Sequence, residues 1–306
     1  MLDVVERAEC VLDIGGVLFD DLSTGFGTSM LLKERLVTLD AVNSAICLGH
    51  PSERNVQNLR VSYHGVFIGD AIQGILQSNL GPLDAFQPLE APPTWPAVDP
   101  SESGITYNTI LGAFQGALRE GDTFLVEVGT ISGLMSNIRL PDGCKMISQT
   151  LWGSIGAATP FALGAALANG EPSSASAGRT LLVTGDGAHL MTANEIGTYA
   201  RMGVKPMIIN NGVYGVEEFL EKNERRSYNE LSSWEFANAA RAMLGPVAAE
   251  QWIIETVQTP ASLVGALSRA REEGKACYIE AMMSELLLDP MSSVDLEVMY
   301  FDAPPK

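Results

Sequence analysis

Gly185-Asp186-Gly187 and Asn210-Asn211-Gly212 are the stretches of this chain whose residue types could do chemistry together. The first offers a carboxylate between two residues that lack a Cβ, and the second offers an amide oxygen. A carboxylate and a neutral oxygen on neighbouring turns suit a hard cation such as Mg²⁺, which takes oxygen ligands and commonly shares phosphate oxygens. Leu151-Trp152-Gly153-Ser154-Ile155-Gly156 adds a third glycine-bearing turn. Each stretch alone is also an ordinary turn; together they point to a diphosphate cofactor bound through Mg²⁺.

Such turns need strands to place them. Thr180-Leu181-Leu182-Val183-Thr184 runs into Gly185, and Met207-Ile208-Ile209 runs into Asn210; both read as buried strands. Between them Thr192-Ala193-Asn194-Glu195 has the spacing of a capping box, which predicts a helix from Thr192 to Met202. Strand, glycine turn, helix and strand make a parallel βαβ unit, and ligands of such sheets bind beyond the carboxyl ends of the strands. Both polar turns fall there. The same reading predicts a helix over about 107–119, a strand over 123–128, a helix from Thr159-Pro160 to near Gly170, a strand over 251–257, a helix over 260–273 and a strand over 276–283. Alternation of this kind predicts an α/β domain with a doubly wound parallel sheet over residues 104–306.

Upstream, Val11-Leu12-Asp13-Ile14-Gly15-Gly16-Val17 reads as a strand closed by a glycine turn. Short apolar runs at 35–39 and 65–68 and a helical pattern over 70–77 complete a small α/β unit within residues 1–81. Pro82, Pro88, Pro92, Pro93, Pro96 and Pro100 punctuate residues 82–103, which read as a stiff, extended linker.

With 19 basic against 37 acidic residues, the chain carries a net charge of −18, which argues against nucleic-acid and anionic-membrane partners. Cys10, Cys47, Cys144 and Cys277 have no CxxC spacing and read as reduced thiols of a cytoplasmic protein. The first residues are charged and lack the apolar core of a secretory signal. Leu151 to Asn169 is uncharged but is broken by Pro160 and lacks basic flanks, so it reads as a buried helix and not a membrane span.

Taken in order, these motifs resemble the thiamine-diphosphate-dependent 2-oxo acid decarboxylases, in particular the pyruvate and indolepyruvate decarboxylase group. Gly185-Asp186-Gly187 through Asn210-Asn211 is similar to that superfamily's diphosphate and Mg²⁺ motif. Ile147-Ser148-Gln149-Thr150-Leu151-Trp152-Gly153-Ser154-Ile155-Gly156 resembles the segment under the thiamine ring. Val126-Glu127-Val128-Gly129-Thr130 resembles the Glu-Thr-Gly-Thr loop, with Val128 replacing a threonine, and Tyr228-Asn229-Glu230-Leu231-Ser232-Ser233-Trp234 resembles the Tyr-Asn-Asp-Ile…Trp stretch. Val11 to Gly27 resembles the later half of the family's Rossmann-like middle domain, so the likeness covers nearly the whole chain. The family's complete chains also carry a pyrimidine-binding domain with an activating glutamate and a His-His pair, whereas His50, His64 and His189 here are not adjacent. The expectation is a C-terminal portion that begins partway through the middle domain and carries half of an active site.

The resemblance implies roles residue by residue. Asp186, the side-chain oxygen of Asn211 and the backbone carbonyl of Val213 would ligate Mg²⁺. Gly185 and Gly187 would let the backbone approach the diphosphate, with Ala188 where the group often has a phosphate-bonding serine. Thr130 would contact the diphosphate or cap its own loop. Gly153 would offer its carbonyl to the cofactor's exocyclic amine. Ile155 would wedge the cofactor into its bent shape, the alternative being a core isoleucine. Glu217 falls at the group's catalytic glutamate, where a partly desolvated carboxyl would donate a proton to the carbanion left by CO₂; the other reading is a solvated acid beside Glu218 and Glu221. His189 is expected to be structural or at the surface. Only 22 residues separate Gly187 from Asn210. That is about two fewer than is usual in the group, and a strand shortened by roughly 6–7 Å would part Asp186 from Asn211 unless the loop compensates.

The implied function is thiamine-diphosphate- and Mg²⁺-dependent nonoxidative decarboxylation of a pyruvate- or indolepyruvate-like 2-oxo acid to an aldehyde and CO₂. A homo-oligomer, or a chain supplying the pyrimidine-binding domain, would complete the site, and little decarboxylase activity is expected of this chain alone. The Gly/Ala-rich segment Gly153 to Ala168 is expected at the subunit interface, since left bare it would form an unusually large apolar patch. Alternatives are a noncatalytic relative that acts by association and a carboligase of the acetolactate synthase type.

Overall fold

The computed structural model describes residues 11–14, 36–39, 46–48, 67–78, 97–136, 138–149, 152–170, 178–202, 204–220 and 226–284. The expected turn at Gly15-Gly16, residues 82–96 of the expected 82–103 linker, Leu151, Glu221, His50 and His64 lie outside these residues. The chain divides into two units, one whose described residues lie within Met1–Ala91 and one spanning Pro92–Asp295. In the first, β1 (Val11–Ile14) pairs in parallel with β2 (Leu36–Leu39), which pairs antiparallel with β3 (Ile46–Leu48); α1 (Ile68–Gln77) follows.

The second unit is an α/β domain around one parallel sheet of six strands with helices on both faces. Its strands are β4 (Thr123–Val126), β5 (Lys145–Ile147), β6 (Thr180–Gly185), β7 (Lys205–Asn210), β8 (Ile253–Val257) and β9 (Cys277–Met282), ordered β5-β4-β6-β7-β9-β8. Every described pairing in it is parallel. Residues 123–126 and 180–184 are buried throughout, as a sheet covered on both faces requires. Leu125, Leu182, Ile208, Ile254 and Tyr278 pack under α4 (Ala158–Asn169), α6 (Ile196–Met202) and α8 (Phe236–Leu244). Phe114 of α2 (Tyr107–Ala117) packs against Phe124 with the rings tilted and their centroids 4.9 Å apart, on the side shared with α3 (Thr130–Met135) and α10 (Pro260–Glu272). Among the described residues no helix is long and apolar enough to cross a membrane.

Two local expectations are corrected. Helix begins at Asp186 itself, in the short α5 (Asp186–Leu190), followed by a 3₁₀ turn at Ala193–Glu195. The Thr192 hydroxyl does not cap that turn but donates to the Gly156 carbonyl at 2.8 Å. Residues 246–251 form α9 (Pro246–Gln251), because Gly245 at φ +76° and Pro246 in the first turn favour a helical start. The strand therefore starts at Ile253.

Strand order turns around between β4 and β6: from β4 the chain moves to β5 on one side, then to β6 on the other. Ligands of open parallel sheets bind in the crevice at such a point. The loops after β4, β6 and β7 all open there.

Candidate functional site

Asp186 follows β6 directly and is 3% exposed. Its Oδ1 accepts from the Gly187 amide at 2.8 Å, while Oδ2 accepts from the Gly212 amide at 2.7 Å and the Asn211 amide at 3.1 Å. Burial outweighs these bonds and raises the carboxyl to about 6. The two turns thus meet despite the short interval between them. Register explains this: Gly185 pairs with Ile209, so β6 and β7 end flush and the shortening does not part the loops.

Asn211 reaches two other groups. Its Nδ2 donates to the Tyr107 hydroxyl at 3.3 Å, and its Oδ1 accepts from the Val213 amide at 3.2 Å. Gly212, at φ +70°, makes the bend. A short ladder then fastens the loop: Val213 bridges Glu230, Tyr214 N donates to Asn229 O and Leu231 N donates to Gly212 O, both at 2.9 Å. At Gly215, first residue of α7 (Gly215–Leu220), a Cβ would stand 3.3 Å from Asn211 Nδ2 and 3.4 Å from Thr130 Oγ1. Thr130, buried at the start of α3, is therefore brought beside Asn211 from the end of β4, two strands away from β7.

The glycines divide by role. A Cβ on Gly185 would meet open space, which leaves room for a ligand. One on Gly187 would run into the Tyr214 ring and Leu231. Gly187 is thus required by packing. Ala188 is buried, and its carbonyl faces Gly156.

Before α4, Gly153 has φ +60° and open space where a Cβ would stand, while Ile155 is 38% exposed and so is no core residue. Fully buried Glu127 steadies this segment: Oε1 accepts from Val128 N at 2.9 Å and Oε2 from Ala158 N, the first residue of α4, at 3.2 Å. Burial raises its pKa. Glu217 is exposed on α7, whereas Glu218 is buried with no partner for Oε2 among the described residues. His189 is wholly buried, with Nδ1 3.3 Å from the Thr159 hydroxyl and Nε2 2.9 Å from the Tyr278 hydroxyl. Burial lowers it to about 3, so this histidine is a neutral core group.

Tyr107 and Glu280 escaped sequence reasoning as site supports, and Glu127, although part of the loop that resembles Glu-Thr-Gly-Thr, was given no role of its own. Buried Glu280 accepts from Asn210 Nδ2 at 2.8 Å, from the first two amides of α8 (Phe236 at 3.3 Å, Ala237 at 3.0 Å) and from Thr256 Oγ1 at 2.9 Å. A carboxylate in the middle of an apolar strand was the signal available. Among the described residues no cluster of three or more His, Cys, Asp or Glu side chains is set to hold a metal. The candidate site is instead one carboxylate with amide and carbonyl oxygens. A cavity of about 890 Å³ lies between α2 and α10 beside Arg179, Lys205 and Cys277, at the opposite ends of the strands. It is separate from this site.

Comparison with known proteins follows the same residues. Residues 127–281 match the family described as thiamine pyrophosphate enzyme, C-terminal TPP binding domain. The chain is 30% identical over 283 residues to an alpha-keto-acid decarboxylase of Mycolicibacterium paratuberculosis, covering 90% of this chain and 46% of that protein. It is 29% identical over 298 residues to an alpha-keto-acid decarboxylase of Mycobacterium ulcerans, covering 94% and 47%. A Mycobacterium tuberculosis protein of the same name is 32% identical over 242 residues, covering 76% and 39%. The chain spans about half the length, or less, of these curated relatives.

Proposed function

Because this chain belongs to the thiamine pyrophosphate enzymes through their C-terminal TPP binding domain, we propose that it holds the diphosphate of thiamine diphosphate through Mg²⁺ and serves nonoxidative decarboxylation of a 2-oxo acid to an aldehyde and CO₂. The observation that carries this is the meeting of the two polar turns on one buried carboxylate, Asp186, with Asn211 and Gly212 on its Oδ2. The residues fit the group. Asp186 is buried, its hydrogen-bond partners among the described residues are backbone amides, and it is raised to about 6, so a cation relieves the cost of its charge. Asn211 Oδ1 and the Val213 carbonyl add the neutral oxygens that Mg²⁺ favours. The opening at Gly185 leaves space for a phosphate, with Thr130 on the flank.

When bound, thiamine diphosphate supplies an electron sink at its thiazolium ring for the pair released as CO₂ leaves. Around it, Gly153 offers a carbonyl and Ile155 an apolar wedge, both held by the tie from Glu127 to Ala158. Glu217 supplies the proton to the substrate carbon that has lost CO₂. Its carboxyl is exposed in this single chain, as are Trp152 and Ile155. That exposure supports a second chain that covers the site and excludes water, as proton transfer by a partly desolvated acid requires. The names of the relatives support the 2-oxo acid class.

Titration calorimetry with thiamine diphosphate and Mg²⁺ tests the reading. Mg²⁺-dependent binding is expected, with Asp186→Ala weakening it on the order of 100-fold. Absence of binding by the parent chain, or undiminished binding by the variant, would overturn it.

A further inference from the structure

Tyr107 opens α2, where the Thr106–Thr109 capping box starts the helix. It is 3% exposed, and its hydroxyl accepts from Asn211 Nδ2 at 3.3 Å. Nothing in the function above uses it. We propose that Tyr107 is a positioning residue for the metal site, holding the Asn211 amide in the one orientation that leaves its oxygen free to meet a cation.

An asparagine side chain carries an acceptor on one arm and two donors on the other, and only the acceptor can ligate a metal. Rotating the amide by half a turn would aim N–H groups at the cation. One partner opposes this rotation outright and a second holds the arm that would have to turn. The Val213 amide donates to Oδ1, so a flipped amide would set donor against donor there. Tyr107 occupies the other arm, its hydroxyl accepting from Nδ2. The packing leaves little slack, since a Cβ on Gly215 would come within 3.3 Å of Asn211 Nδ2, 3.4 Å of Thr130 Oγ1 and 3.8 Å of the Tyr107 hydroxyl. Side chains from α2, α3 and the loop after β7 thus meet at a point where only glycine fits without pressure. A phenylalanine at 107 keeps the ring and removes the acceptor, leaving the amide without its partner on that arm.

The inference rests on the reading of Asn211 as a metal ligand, and the test separates the two. Mn²⁺ affinity in the presence of thiamine diphosphate is measured by electron paramagnetic resonance on the 306-residue chain, with Asp186→Ala as control. Tyr107→Phe is expected to weaken Mn²⁺ binding roughly 3- to 10-fold, the loss of one hydrogen bond. In an Asn211→Ala background the same substitution is expected to cause no further loss, because the effect runs through the amide. An equal loss in both backgrounds, or no loss in the parent, overturns this inference while Asp186→Ala still upholds the metal site. If the parent does not bind Mn²⁺ at all, both fall. An independent readout needs no metal: the Asn211 side-chain amide protons, assigned by their disappearance in Asn211→Ala, are expected to exchange more slowly than those of exposed asparagines. Rapid exchange in the parent would also overturn the inference.

Discussion

Asp186 and His189 sit three residues apart in the same helical turn, and burial moves both against their charged forms. Asp186 is raised to about 6 and His189 lowered to about 3, burial being the leading cause in each. For the histidine, the unfolded chain takes up a proton below its ordinary value of 6.5 that the folded core refuses. Its contribution to stability is therefore full above that pH and is lost toward pH 3, at about 1.4 kcal/mol per pH unit. Asp186, being raised, acts in the opposite direction as pH falls through about 6, so the difference between variant and parent is the readout. His189→Gln is expected to lose stability more gently than the parent between pH 6 and 4 in urea unfolding, by roughly 1 kcal/mol per pH unit. Equal slopes would show that His189 takes up its proton in the folded chain as readily as in the unfolded one.

The glycine turn after β6 is an element whose two glycines answer to different neighbours. Gly187 lies against the Tyr214 ring and Leu231, so Gly187→Ala is expected to cost about 1–3 kcal/mol of stability from overpacking. Gly185 has φ −74° and ψ 155°, which any residue adopts, and open space where a Cβ would stand. Gly185→Ala is therefore expected to leave stability within about 0.5 kcal/mol while weakening thiamine diphosphate binding in calorimetry. The reverse pattern, with Gly187→Ala harmless and Gly185→Ala unstable, would contradict this division. The strands behave as elements too. Flush ends of β6 and β7, with Asn210 opposite Met282 of β9, hold the two loops at one height. Glu280 secures that height by tying Asn210 to β8, β9 and α8.

For the molecule as a whole, the outer side of α4 is the feature that bears on assembly. Its inner side packs Ala158, Ala162 and Ala166 against the sheet, while Phe161 and Leu167 remain exposed at 46% and 64%. Trp152 just before it is 76% exposed. An apolar helix face of this kind favours self-association, and it adjoins the segment that carries Gly153 and Ile155. Light scattering is expected to find a dimer or larger species, and Phe161→Asp with Leu167→Asp is expected to shift it toward monomer. A parent chain that stays monomeric at high concentration would count against this.

The parallel sheet, the loops that carry Asp186 and Asn211, and the helix ending at Gly170 were all legible in the residues, because apolar runs of strand length, glycine turns and capping signals are local. The helical start at Asp186 was not. Thr192 has the spacing of a cap, yet its hydroxyl is drawn to the Gly156 carbonyl, a partner 36 residues away. The shortened interval before Asn210 suggested a gap that strand register closes. Tyr107 and Glu280 carry no motif of their own, and the motif that holds Glu127 does not name its partners; each matters through groups brought to it by the fold. Residue type and spacing determined which groups could hold a cation and a diphosphate. Tertiary structure decided which of them meet, since burial, register and long-range hydrogen bonds depend on all the strands at once.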